Sequence, residues 1–224
     1  MLSEIKKYLL KNANPAADGS VSSEQRKKRF EFFMEYCSEL KKPLKILDIG
    51  GSDYYWKNFD FVDNENYSIL ILNSEFQQTG GFRNISFVKG DAKNLGHIND
   101  NEYDLVFSNS MIEHLCTFEE QKKLGEEIRR IGKKYFIQTP NYYFPLEPHF
   151  LFPFFQFLSV DMKTKLISNY NLGWFEKQED SFKAKELAES IRLLTEKELK
   201  EIFKGCKIYK EKFYLLNKSL TAYS

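Results

Sequence analysis

The sequence has few of the residues that staple small proteins together. It holds three cysteines, Cys37, Cys116 and Cys206, with no close pair among them. That spacing supports neither a zinc-binding motif nor a disulfide framework, so a reducing, cytoplasmic setting is the expectation. Long apolar runs are missing as well. The longest, Phe150 to Val160, is about half a membrane span and is interrupted by Pro153. The opening MLSEIKKYLL is too short in apolar residues for a signal peptide. A soluble protein with no integral membrane segment is expected. Nor is there an excess of either charge: 33 Lys and Arg against 32 Asp and Glu leave a formal net charge of +1. This removes the overall electrostatic reason to expect nucleic acid as a partner. Histidine is limited to His97, His114 and His149, and no internal repeat or low-complexity tract occurs.

Aromatic residues are abundant, with 21 Phe and 13 Tyr in 224 residues. They either thicken the core or line a pocket, and composition does not choose between the two. With 42% hydrophobic and 29% charged residues the chain reads as an ordinary globule large enough for a proper core. Residues 1–42 are expected to be an N-terminal flexible segment, polar over 11–21, followed by a helix packed on the core. Residues 43–224 would form the main domain, with 141–190 inserted as a substrate or lid segment.

The helix is SSEQRKKRFEFFMEYCSEL, with Phe30, Phe33, Met34, Cys37 and Leu40 on one stripe. Ser22 and Gln25 are read as its capping box, and the run Arg26 to Arg29 as a solvated surface. After Pro43 short apolar runs at 45–49, 68–72, 85–88, 103–108 and 133–139 have strand length, each closed by Gly, Asn, Asp or Pro. A helix between the last two has Thr117 and Glu120 as capping box, Leu124, Ile128 and Ile131 as buried stripe, and Gly132 as stop. The spacing after the first three strands is tight, so some crossover helices must be short or missing. Thr195 and Glu198 open a last helix running to Gly205, and KIYKEKFY with SLTAY form an antiparallel hairpin. The fold class is therefore α/β with a mostly parallel sheet.

In such sheets the ligand lies beyond the carboxyl ends of the strands. The first end reads Asp48-Ile49-Gly50-Gly51-Ser52-Asp53. Its glycines either admit a ligand or make a plain tight turn. A nicotinamide dinucleotide site would need glycine where Ser52 and Tyr55 stand. Asn73 closes the second strand, as a ribose ligand or a turn former. Asp91-Ala92 follow the third, where the carboxylate either accepts from an adenine amine or caps a short helix. The fourth ends in Ser108-Asn109-Ser110-Met111-Ile112-Glu113-His114-Leu115.

These strand ends resemble the class I S-adenosylmethionine-dependent methyltransferases, through ILDIGG, GDA and the more specific YDLVFSNSMIEHL. The resemblance spans roughly residues 43–141 plus the terminal hairpin. It implies a Rossmann-like seven-stranded, mostly parallel sheet ordered 3-2-1-4-5-7-6. It implies S-adenosylmethionine as cofactor, with S-adenosylhomocysteine as product. Asp48, Gly50 and Gly51 would lie near the methionine moiety, Asn73 near the ribose, Asp91 and Ala92 at the adenine, and Asn109 and Ser110 beside the cofactor. The chain departs from the family pattern at Ser52 and Tyr54, where more glycine is usual, and at neutral Asn73, where an acid is usual. QTPNYYFPLEPHFLFPFFQFL resembles a bacterial branch associated with polysaccharide and secondary-metabolite biosynthesis, so a small-molecule or glycan acceptor is expected, a lipid-linked one included. No N/D-P-P-Y/F motif follows the fourth strand, which speaks against nucleic-acid substrates.

Methyl transfer to an oxygen or nitrogen gains from a general base. His149 or His114 is the candidate, oriented by Glu147 or Glu113, while His97 sits in a polar loop. No metal is expected, because no spacing such as H-E-x-x-H occurs, although His114, Glu147 and His149 form a conceivable ligand set. The run Tyr142 to Phe157 serves as core or as a lid over the acceptor. Two competing functions are a scaffold that kept the fold without the chemistry, and a nicotinamide-dependent oxidoreductase. Oligomeric state is not legible.

Overall fold

The computed structural model describes residues 2–14, 17, 19–57, 61–75 and 80–224. The elements run α1 (Leu2–Ala13), α2 (Val21–Ser38), β1 (Leu44–Ile49), α3 (Asp53–Trp56), β2 (Tyr67–Asn73), β3 (Ile85–Lys89), β4 (Tyr103–Asn109), α4 (Phe118–Ile131) and β5 (Gly132–Pro140). Next come the short strands β6 (Leu146–Glu147) and β7 (Phe152–Pro153), then α5 (Val160–Asn169), α6 (Ser181–Glu189), α7 (Glu196–Ile202), β8 (Lys207–Phe213) and β9 (Leu216–Tyr223). One sheet is ordered β3-β2-β1-β4-β5-β9-β8. Counting only its own strands, this is the expected 3-2-1-4-5-7-6, with β9 antiparallel to β5 and to β8. The polar linker 11–21 falls partly outside the described residues. Among the described residues no helix is long and apolar enough to cross a membrane.

The central strands are covered on both faces, so they read as continuous apolar runs rather than alternating ones. One face is packed by α4 and α7 around Leu47, Val106, Ile128, Ile137 and Leu199. The other is packed by α2 and α3 and is largely aromatic. Phe33 sits against Trp56, Phe61, Phe107 and Phe136 with ring centroids 4.9–5.9 Å apart. Much of the aromatic excess is therefore core. The insertion adds a small core of its own around Phe150, Phe155, Ile167 and Leu172, and exposes Tyr143, Phe154 and Phe157.

Several local expectations need correction. The cap of α2 is Ser20, whose side chain accepts from Ser23 N–H; the Ser22–Gln25 box does not form, and Gln25 instead donates to the Lys212 carbonyl. The basic run is not uniformly solvated, since Arg29 is buried and pairs with buried Glu211 at 3.6 Å. The last helix stops at Ile202, three residues before Gly205. The boxes Thr117–Glu120 and Thr195–Glu198 both form. Gly132 ends α4, but with extended backbone (φ −112°), and β5 begins there. Its lack of a side chain answers to packing, because a Cβ would fall 2.5 Å from Val106 Cγ2. The crossovers are short as expected: α3 has four residues, and the connection from β3 to β4 contains no helix.

Gly125 lets α4 approach α7: a Cβ there would lie 2.1 Å from Ile202 Cγ2. Ala is the better helix former by about 1 kcal/mol, but overpacking a buried contact costs about 1–3 kcal/mol. Gly125→Ala should therefore lower the melting temperature by several degrees in a thermal melt, and Ile202→Leu in the same chain, which removes the β-branch methyl that the added Cβ would strike, should recover part of the loss.

Candidate active site

The carboxyl ends of β1, β2, β4 and β5 converge at the strand-order reversal, where β1 lies between β2 and β4. Gly50 has φ +79°, a conformation that L-residues avoid, and a Cβ on it would fall 2.3 Å from Met111 Cγ. A Cβ on Gly51 would fall 1.7 Å from Asp48 Oδ2. Both glycines are thus sterically required. Asp48 lies beneath the turn, fully buried, with Oδ2 accepting from Trp56 Nε1 at 2.8 Å and Oδ1 without a partner. Burial pushes its carboxyl up to about 7, against the opposing effect of the Trp56 hydrogen bond.

Asn73 does not present a free amide. Its Nδ2 donates to the Gly51 carbonyl at 2.9 Å and its Oδ1 accepts from Glu75 N–H at 3.2 Å. The neutral side chain ties the end of β2 to the glycine turn, a use that an acid could not duplicate because it lacks the donor. Asp91 caps no helix; Oδ1 accepts from Lys93 N–H in a tight turn, with Ala92 half-buried beside it. On β4, Ser108 donates to the Ile49 carbonyl at 2.9 Å, which binds the two strand ends together. The next residue, Asn109, has a buried Oδ1 with no partner. Ser110 has φ +54° and donates to Gln138 Oε1 at 2.9 Å. A backbone held in this region by surrounding contacts is a mark of functional turns.

Past Ser110 the chain makes a single 3₁₀ turn, Ile112–His114, and this turn is clamped from two sides. Buried Gln121 of α4 donates to the Ile112 and Arg192 carbonyls at 3.1 and 2.8 Å, and Arg192 N–H donates to the Glu113 carbonyl at 2.8 Å. Glu113 points inward, fully buried. Its Oε2 accepts from Thr139 at 3.0 Å, its Oε1 has no partner, and burial pushes the carboxyl up to about 7.

The insertion brings the opposing group. Glu147, 2% exposed, accepts from His149 N–H and Phe150 N–H on Oε2, at 2.8 and 2.6 Å, and meets His149 Nδ1 at 2.7 Å with Oε1. The His149 carbonyl is met by Gly173, where a Cβ would intrude to 2.5 Å, and Leu151 and Phe154 nearby both have positive φ. Burial would lower the pKa of His149, but the Glu147 hydrogen bond and the charges of Glu147 and Glu113 outweigh it and hold the imidazole above its ordinary value. His114 faces the His149 ring edge-on at 5.0 Å. It stands at the solvent rim with much of its surface exposed, yet the crowding of its inner side and the charge of His149 push it down to about 4.

The structure brings His114, Glu147 and His149 together with Glu113; Glu147 is the carboxylate that bonds His149, while Glu113, not Glu147, shares the ligand-distance cluster with the two histidines. Donor atoms of Glu113, His114 and His149 all lie within 4.8 Å of one another, a grouping that can hold a metal ion. His97 is elsewhere, on an exposed turn between β3 and β4. A cleft of about 360 Å³ opens between the insertion and the start of α7, lined by Tyr142, Glu147, Phe155, Lys163 and Arg192 among others. Glu147 is in its wall and no residue of the glycine turn is, so the cleft belongs with the insertion. Thr139, Gln121 and Arg192 went unnoticed in the sequence because their partners lie 26 to 71 residues away, and Trp56 because nothing local marks its ring N–H as aimed at Asp48.

Residues 53–135 match the family model described as a methyltransferase domain. Over 58 residues the chain is 36% identical to two uncharacterized proteins of Mycobacterium tuberculosis. That stretch is 26% of this chain and 20% of each relative, so the chain matches about a fifth of their length. Among solved structures, a SAM dependent methyltransferase from Aquifex aeolicus is similar with a TM-score of 0.52 at 13% identity, with 87% of both chains covered. The CurJ carbon methyltransferase is similar with a TM-score of 0.58 at 12% identity, over 92% of this chain and 55% of that one.

The burial of Asp48 has a pH signature. Below its ordinary pKa of 3.8 the carboxyl is neutral in both the folded and the unfolded chain. Between 3.8 and about 7 the unfolded chain releases a proton that the folded chain keeps, so stability falls as pH rises, and above 7 the loss is complete. Asp48→Asn, which can still accept from Trp56, should gain stability relative to the parent chain by about 2–3 kcal/mol between about pH 5 and about pH 8. Denaturant melts at the two pH values measure this directly.

Proposed function

From a chain whose fold is that of the class I S-adenosylmethionine-dependent methyltransferases, we propose an enzyme that methylates an oxygen or nitrogen of a small-molecule or glycan acceptor. The supporting observation is the glycine turn at the strand reversal, where two side-chain-free residues are sterically enforced and two buried acceptors, Asp48 Oδ1 and Asn109 Oδ1, lack partners. Unpaired buried acceptors are costly unless a ligand supplies donors, and the ammonium end of S-adenosylmethionine supplies them. The donor set fits the expected cofactor. Asp48, Gly50, Gly51, Asn109 and Ser110 would take its methionine end. Asn73 would shape the ribose side by fixing the Gly51 carbonyl, and Asp91 with Ala92 would meet the adenine.

When bound, this cofactor supplies a sulfonium methyl that an acceptor nucleophile can take, the electron pair of the broken C–S bond staying on sulfur. The chain has to align the acceptor, exclude water and remove a proton. The Glu147–His149 pair is placed for the last task, with Nδ1 of His149 committed to Glu147 and Nε2 left for an acceptor proton. His114 borders the same space. Tyr142 and Phe155 offer apolar walls for a sugar ring or a small aromatic, and exposed Phe154 and Phe157 would suit the lipid portion of a lipid-linked acceptor.

Calorimetry with S-adenosylmethionine should show one site, and Gly51→Ala should weaken it at least about tenfold by driving Asp48 out of place. No heat at millimolar cofactor would favour the scaffold reading instead. In an acceptor screen with labelled cofactor, His149→Ala should lower kcat by about 10²–10⁴. Unchanged turnover in both His149→Ala and His114→Ala would remove the base.

A further inference from the structure

The acceptor side of the site contains more chemistry than one base requires. Two imidazoles and a carboxylate from two segments, the 3₁₀ turn after β4 and the insertion, converge, with donor atoms of Glu113, His114 and His149 mutually within 4.8 Å. Glu113 Oε1 is buried and without a hydrogen-bond partner, although its other oxygen is satisfied by Thr139. A buried carboxyl oxygen without a partner, on a group that lies within 4.8 Å of two histidine nitrogens, is an unmet demand for a donor or a positive centre. His149 also carries the outer support that metal-binding histidines have, a carboxylate on the far ring nitrogen, here Glu147 Oε1 at 2.7 Å. The 3₁₀ turn bearing the other two donors is fixed by Gln121 and Arg192, so the set is held in place rather than left to a mobile loop.

We propose that Glu113, His114 and His149 form a binding site for one divalent transition-metal ion, with Glu147 orienting His149. Two nitrogens and one carboxylate oxygen suit zinc, cobalt, manganese or ferrous iron better than calcium or magnesium, which prefer all-oxygen shells. Bonds of about 2.1 Å in tetrahedral array bring donors to about 3.4 Å from each other. The donors already lie within 4.8 Å of one another, so reaching that closer spacing asks for shifts of about an ångström. Three protein ligands leave at least one position open, which an acceptor hydroxyl can take. Coordination lowers the pKa of that hydroxyl, its proton passes to solvent, and the bound oxyanion is the nucleophile. In this state His149 is a ligand and not the proton acceptor. The metal site rests on the geometry of the cluster alone. Its assignment to the acceptor hydroxyl rests on the methyl-transfer reading above.

The test is titration of the chelator-stripped full chain with Zn²⁺ by calorimetry and with Co²⁺ by visible absorption. One equivalent should bind, with Co²⁺ bands of nitrogen and oxygen ligation. His149→Ala and Glu113→Gln should each weaken binding by about tenfold or more, and Glu147→Gln by about 10–100-fold as an orienting residue. Circular dichroism of each variant reports that it is folded. Gly51→Ala should keep full metal affinity while losing cofactor affinity, which separates this inference from the cofactor reading. Absence of stoichiometric binding, or binding that is unchanged in the folded His114→Ala/His149→Ala double variant, overturns the proposal.

Discussion

Much of the molecule is organised around a carboxylate that has no water. Asp48 occupies the end of the central strand β1, fully buried, with its carboxylate under the backbone of Gly51 and a hydrogen bond from Trp56. Trp56 in turn is packed in the aromatic layer that joins α2 to the sheet. One side chain therefore couples the glycine turn to the aromatic core. This explains why glycine at 51 is not interchangeable with alanine, and why the short helix α3 can sit where longer crossovers would be expected. The isolated carboxylate costs stability at neutral pH, a cost consistent with a site that ligand binding completes.

The two halves of the site are built on different principles. The half proposed for the cofactor is made of strand ends locked by hydrogen bonds, from Ser108 and Asn73 to the carbonyls of Ile49 and Gly51 and from Ser110 to the Gln138 side chain. The half proposed for the acceptor is made of ionisable groups, Glu113, Glu147 and His149, set against each other at close range. Rigid backbone suits a cofactor that is the same in every turnover. Opposed charges suit proton or cation handling, where small shifts in protonation change the chemistry.

Sequence reasoning read the local features well. The strand series, both threonine capping boxes and the terminal hairpin depend on near neighbours, and all appear in the structure. Features that depend on distant partners were invisible. Arg29 looked solvated because its partner Glu211 is on the hairpin at the other end of the chain. Gly132 looked like a helix stop, when its real constraint is Val106 of the neighbouring strand. His114 and His149 were each legible as candidates, but the 5.0 Å between their rings is a product of the insertion folding back over β4 and β5. Ser20 outcompeted Ser22 as a cap because its hydroxyl reaches Ser23 N–H.

His149 and Glu147 are carried by a segment that has a hydrophobic centre of its own, formed by Phe150, Phe155, Ile167 and Leu172, while every strand-end contact to the glycine turn comes from outside it. On the proposed reading, this partition separates the part of the chain that would choose an acceptor from the part that would receive the cofactor, so changes within 141–190 would alter the first while leaving the glycine turn intact.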